Sequence, residues 1–183
     1  ACKALISHGI ADDSDANLEA MRERHPPCRG GTIPGDSAPV PRNFVANIPE
    51  ETVEKMIKSF RRGTSPGPSA LRAQHLHDAL RSLHADEVLS HLTGIVNLCA
   101  AGEAPSELKP FLVAASLIGL AKDDGSLRPI AIGEVFRRLI AKCLCEISKD
   151  EARDHLWPLQ IGVSAPLGAE IGFHVVRQWW KRN

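Results

Sequence analysis

At 183 residues the chain has room for one domain with its own core or for a piece of something larger, and length alone does not separate the two. A hydrophobic fraction of 43% and a charged fraction of 24% are ordinary for a globular protein. The formal net charge of zero excludes a global basic field, so any surface for nucleic acid has to be local.

The five cysteines, Cys2, Cys28, Cys99, Cys143 and Cys145, are odd in number and widely spread. That pattern suits free thiols in a reducing compartment better than a disulfide framework. No stretch approaches the roughly 18 to 20 apolar residues of a membrane span. The opening ACKALISHGI has neither an initiator methionine nor a basic signal region, and with the WWKRN end it reads as the start of a fragment.

In chain order, SDANLEAMRER at 14–24 opens on capping residues and predicts a short helix. HPPCRGGTIPGDSAPVPRN at 25–43 is a linker or irregular arm. NIPEETVEKMIKSFRRG predicts a helix with Pro49 in its first turn, Glu50 and Glu51 complementing the dipole, Val53, Met56, Ile57 and Phe60 inward, and Gly63 as a stop. After the break TSPGPS, SALRAQHLHDALRSL predicts a helix with Ser69 as N-cap and Leu71, Leu76, Ala79, Leu80 and Leu83 inward. A third helix over 85–100 sets Val88, Leu92, Ile95, Val96 and Cys99 on one stripe, ended by Gly102 and Pro105.

FLVAASLIGLAK is too long an apolar run for one average strand, yet KDDGS supplies hairpin chemistry and LRPIAI a second strand, with Pro129 favouring an edge position. From Glu134 the period becomes helical, with Val135, Leu139, Ile140, Cys143, Leu144 and Ile147 on the buried stripe. The loop WPLQIGVSAPLG and a closing helix in AEIGFHVVRQWW complete an α+β chain that is mainly helical with one β-hairpin. Such a hairpin needs helices or further strands against it, and part of its sheet is expected beyond Asn183.

Lys122 and Arg128 flank the DDGS turn, where an ammonium and a guanidinium converging on one anion would suit phosphate oxygens. A solvent-exposed hairpin carries such a pair too. Residues 122–142 hold five basic residues against three acidic, a modest stripe that continues through Arg137, Arg138 and Lys142. The histidines and cysteines form no pair of Cys-x-x-Cys units, and helical periodicity puts Cys99 and Cys143 in the core, against a zinc site. Trp157, Trp179 and Trp180 offer stacking surfaces, but helical spacing favours packing for Trp179 or Trp180.

Three blocks in order carry a more specific signal. LIGLAKDDGSLRPIAIGEVFRRLIAKCL resembles the fingers hairpin and following helix of the reverse transcriptases of non-LTR (LINE-like) retrotransposons. TSPGPSALRAQHL, 64–76, resembles their upstream Gly-Pro segment, and LQIGVSAPLGAEIGFHVVR, 159–177, resembles the Gln-x-Gly block before the first catalytic motif. Three positions depart from the family pattern: Ala70, Ser164 and Leu167 stand where glycine is expected.

The resemblance implies a partial right-hand polymerase fold. It divides into an N-terminal helix and arm at 1–47, a fingers-like region at 48–150, and the start of the palm at 151–183. It implies that Lys122 and Arg128 contact the triphosphate of an incoming dNTP, with Ala121 the other residue that fits the family's basic position. There the cations would neutralise a pyrophosphate leaving group as a primer hydroxyl attacks. Gln160 and Gly162 would line the nucleotide and template pocket, and Arg137, Arg138 and Lys142 would meet the template backbone. The implied partners are an RNA template, a DNA primer and the downstream palm and thumb of the same polyprotein, in cytoplasm and nucleus, with no membrane partner. The aspartates that hold two Mg²⁺ ions in that family have no counterpart here, since no aspartate follows Asp154. Mg²⁺ is therefore expected only in a full-length enzyme, and no polymerase activity from these residues alone. A reading of another class is a domesticated or decayed module that binds RNA or protein without catalysis.

Overall fold

The computed structural model describes residues 9–25 and 47–182. Its elements are α1 (Asp15–Arg24), α2 (Glu50–Lys58), α3 (Ala73–Ala79), α4 (Ala85–Ala100), a 3-10 turn at Ser106–Leu108, α5 (Lys109–Val113), β1 (Ala115–Ala121), β2 (Leu127–Gly133), α6 (Val135–Leu156) and α7 (Gly168–Arg182). The chain is thus α+β, mainly helical with a two-stranded antiparallel hairpin. No helix among the described residues is long and apolar enough to cross a membrane. Most of the expected arm at 25–43 lies outside the described residues.

α2 forms because Glu50 and Glu51 sit in its first turn and Lys55 and Lys58 in its last, while Val53, Met56 and Ile57 recur at helical spacing on the buried side. That face meets α3, α4 and α6. Ile48, Val53, Ile57, Val96, Val135, Leu139 and Cys143 are almost wholly buried there. Each such side chain contributes about 1.5–3 kcal/mol for a residue of valine to leucine size. Entry into α2 is fixed by Asn97 of α4, which accepts from the Ile48 N–H at 2.8 Å and donates to the Ile48 carbonyl at 2.9 Å.

The hairpin pairs Ala115 with Gly133 through Ala121 with Leu127. α1 covers it by setting Met21 against Gly119 and Leu127, and Arg24 donates to the Leu127 carbonyl. On the outer side of β1, Ala11 N–H donates to the Gly119 carbonyl at 2.9 Å and Ala121 N–H to the Gly9 carbonyl at 3.0 Å. Among the described residues, further support for the hairpin thus comes from its N-terminal side. Pro129 lies in β2, which is an edge strand among the described residues.

Several expectations need correction. The run 111–121 divides at Ala114, with Phe111–Val113 helical and the strand beginning at Ala115. α3 starts at Ala73 with Arg72 at its N-cap, so Ser69 is not the cap. α3 also ends at Ala79, and Leu83 beyond it is fully exposed. In α4 the buried line runs through Leu92, Thr93 and Val96, which turns Ile95 outward. The buried positions of α6 stop at Cys143, leaving Ile147 exposed. Pro49 is the N-cap of α2 rather than a first-turn residue, and α2 stops at Lys58, before Phe60 and Gly63.

Candidate nucleic-acid interface

The hairpin tip is built by local hydrogen bonds. Lys122 N–H donates to the Ser126 carbonyl at 3.0 Å, Gly125 N–H to the Lys122 carbonyl at 3.1 Å, and Ser126 N–H to Asp124 Oδ1 at 2.9 Å. Gly125 adopts φ 74°, a left-handed conformation that glycine takes without a steric penalty. Hydrogen bonding to Ser126 holds the Asp124 carboxyl below its usual range, with the charge of Lys122 adding to the effect.

Strand register then decides which cations share a face. Leu120 is opposite Arg128 and Ala121 is opposite Leu127. Side chains alternate along a strand, which puts Ala121 on the face of Leu127; continued one residue past β1, where the Lys122 N–H still bonds across the hairpin, the alternation puts Lys122 on the face of Leu120 and Arg128. Both cations are half-buried. Asp123 and Asp124 are exposed at the same tip, so two acidic residues stand beside the two basic ones.

The α6 residues separate into two groups. Arg137 turns toward α5, donating to the Val113 carbonyl at 3.1 Å. Arg138 and Lys142, one turn apart, share the ring of Phe60 at 6.0 and 5.1 Å from its centroid, and Arg138 also donates to the Ser65 carbonyl at 2.6 Å. The structure thus brings Arg138 and Lys142 together and sends Arg137 elsewhere.

Gln160 and Gly162 meet on the loop between α6 and α7, where Gln160 Oε1 accepts from the Gly162 N–H at 2.7 Å; both are exposed. Close packing of this loop depends on Gly168, since a Cβ there would fall 1.7 Å from the Ile161 carbonyl oxygen. Trp157 and Trp180 are exposed, at 50% and 76%, and Trp179 at 61%, so none is buried against the hairpin.

A relation that sequence reasoning missed ties two of the blocks together. The segment 65–69 is held against the start of α6 by the Arg138–Ser65 bond and by Ser69, whose N–H and hydroxyl donate to the two carboxyl oxygens of Glu134 at 2.7 and 2.6 Å. Gly67 packs on the Glu134 backbone so closely that a Cβ would lie 2.8 Å from its Cα.

The non-glycine residues with positive φ among the described residues are Ala70 at 61°, Ser164 at 53° and Leu167 at 58°. These are the three positions at which the sequence departs from the glycines of the reverse transcriptase pattern. Among the described residues no group of three or more His, Cys, Asp or Glu side chains converges as metal ligands. Comparison with protein-family models, curated proteins and solved structures gives no match.

Proposed function

We propose that this chain is the fingers region and start of the palm of a non-LTR retrotransposon reverse transcriptase, with a partial right-hand polymerase fold. It contributes template binding and contacts to the triphosphate of the incoming dNTP. The observation that supports the nucleotide role is the Leu120–Arg128 register, which, continued one residue past β1, puts Lys122 on the face of Arg128 and favours Lys122 over Ala121 for the family's basic position. A guanidinium and an ammonium on one face present forked and single donors to adjacent phosphate oxygens.

Template contact falls to Arg138 and Lys142 as a pair, with Arg137 a separate contact and Gln160 and Gly162 on the loop ahead of α7. These are backbone contacts that position a strand without reading its sequence. The carboxylates that would hold Mg²⁺ belong, in this reading, to the palm that would follow, so the role proposed for this chain is binding, with no metal-dependent step derived from it. The partners are an RNA template, a DNA primer and the palm and thumb that would follow in the same polyprotein, acting inside the cell in cytoplasm and nucleus.

A second reading has its own support. Left-handed backbone at Ala70, Ser164 and Leu167 costs a non-glycine residue about 1–2 kcal/mol. Loss of glycine at three such positions fits a decayed or domesticated module that binds RNA or protein without nucleotide chemistry.

Fluorescence anisotropy on a labelled RNA–DNA primer–template, with and without dNTP, separates the two. Binding strengthened by dNTP, with the enhancement lost in Arg128→Ala and in Lys122→Ala, supports the nucleotide clamp. Salt-dependent binding with no dNTP effect supports the module. Enhancement that persists in both variants overturns the assignment of these two residues.

A further inference from the structure

The end of α2, the turn after it and α3 enclose a cleft of about 580 Å³ that lies apart from the hairpin tip. Lys58, Arg62, His77 and Arg81 line it, Phe60 and Leu80 give it an apolar wall, and no acidic residue among the described residues lines it. The cations differ in how far they are already neutralised. Lys58 is held by Glu54 at 2.5 Å, whereas the guanidinium groups of Arg62 and Arg81 make no ion pair among the described residues. Some surface cations elsewhere are matched within the chain: Lys55 and Lys149 share Glu146, and Arg153 spans Asp150 and Asp154. In a chain of zero net charge, two guanidiniums lining one cleft with no ion pair among the described residues are a local excess that an anionic ligand would relieve.

The cleft's volume is that of a small-ligand pocket, large enough for a nucleotide unit and too small to admit a duplex. An apolar wall beside cations suits a base or ribose next to its phosphate, which is how single strands are held without sequence preference. The cleft also has a continuation. Phe60, on its wall, carries Arg138 and Lys142 on its ring, so the basic lining passes through this one aromatic residue to the basic face of α6.

We infer that this cleft is a second nucleic-acid site, which takes a phosphate and the adjoining base or sugar of a single RNA strand and passes the strand across Phe60 to Arg138 and Lys142. Arg62 and Arg81 supply the phosphate contacts. The ligand class rests on the proposed function; the site itself does not use the hairpin cations.

The test is anisotropy of a labelled single-stranded RNA of about ten nucleotides, within the usual span of such sites, titrated with the 183-residue chain over a range of salt. Arg62 and Arg81 are exposed, so the double variant Arg62→Ala/Arg81→Ala is expected to fold. It should bind more weakly, with the slope of log affinity on log salt shallower by about 1.4 for two lost single-strand phosphate contacts. Phe60→Leu keeps an apolar side chain and removes the ring. It should weaken RNA binding while leaving inorganic polyphosphate binding unchanged.

An unchanged slope in the double variant overturns the cleft, whatever dNTP does on the primer–template. A dNTP effect lost in Arg128→Ala but intact in the double variant separates this site from the hairpin. Polyphosphate or an acidic peptide competing as well as RNA of equal charge overturns the assignment to a nucleic-acid strand.

Discussion

Ser69 donates both its N–H and its hydroxyl to the carboxyl group of Glu134, 65 residues further along the chain and 6% exposed at the N-cap of α6. This contact, with Gly67 flush against the Glu134 backbone, fixes the turn before α3 to the end of the hairpin. Ser69→Ala should therefore destabilise the chain by about 1–3 kcal/mol, since it removes the hydroxyl donor to a buried carboxyl group. Gly67→Ala should cost about as much, because its Cβ would meet backbone atoms that cannot swing aside. Urea denaturation of both variants checks this; a loss confined to the experimental error would mean the turn is not pinned at Glu134.

Replacing Ala70, Ser164 and Leu167 with glycine should stabilise the fold. Each sits at positive φ and each side chain is exposed, so little burial is given up. The left-handed penalty of about 1–2 kcal/mol is relieved, and the added freedom of glycine in the unfolded chain takes back about 0.4–1 kcal/mol. A gain of roughly 0.5–1 kcal/mol per site, read as a rise in Tm, is expected from the difference. A fall in Tm would show that these residues make contacts worth more than the strain.

How much of this was legible in the sequence depends on how far apart the interacting residues lie. The buried face of α2 could be read from Val53, Met56 and Ile57 at helical spacing, and the hairpin from the Asp-Gly turn, because both signals are local. The Phe111–Val113 turn of helix was hidden inside an apolar run with no period, although Pro110 at its N-terminus is a start signal. Ser69 looked like a helix cap because serine satisfies backbone donors nearby; here its partner is 65 residues away, and no local rule contains that distance. The same limit hid the basic cleft. Lys58, Arg62, His77 and Arg81 look like ordinary surface residues until α3 folds back beside the end of α2.

Glu146 makes the stability of the fold acid-sensitive. Hydrogen bonding to Lys149, at 2.8 Å, and to Lys55 of α2, at 2.6 Å, pulls its carboxyl from the usual 4.5 down to about 2. A carboxyl lowered on folding contributes stability that is fully present above its unfolded value and disappears as pH falls through the folded one. The contribution should fade between pH 4.5 and about 2. Glu146→Gln should flatten the pH dependence of Tm across that window and leave its shape above it unchanged. An unaltered profile would show that the tie from α2 to α6 carries no net stability.

The thiols of α6 should differ in reactivity although only one residue separates them. Cys143 is fully buried, and that burial pushes its pKa up to about 11, whereas Cys145 is exposed. The thiolate is the reactive form, so Cys145 should be alkylated quickly in the native protein and Cys143 only on unfolding. Mass spectrometry after a timed iodoacetamide pulse checks this. Equal labelling of both would mean that α6 does not bury its Cys143 side.

α7 presents Phe173, Val176 and Trp180, at 63%, 65% and 76% exposure, along one side. Residues three and seven positions apart share a helix face, so these make a continuous apolar stripe rather than scattered surface residues. In solution the 183-residue chain should bury that stripe by self-association, with a sedimentation coefficient that rises with concentration. Phe173→Glu/Trp180→Glu should move the chain toward a monomer without lowering Tm, because neither side chain lies in the core formed by α2, α3, α4 and α6. A chain that sediments as a monomer at every concentration, or a double variant that loses Tm, would mean that the stripe is covered from within.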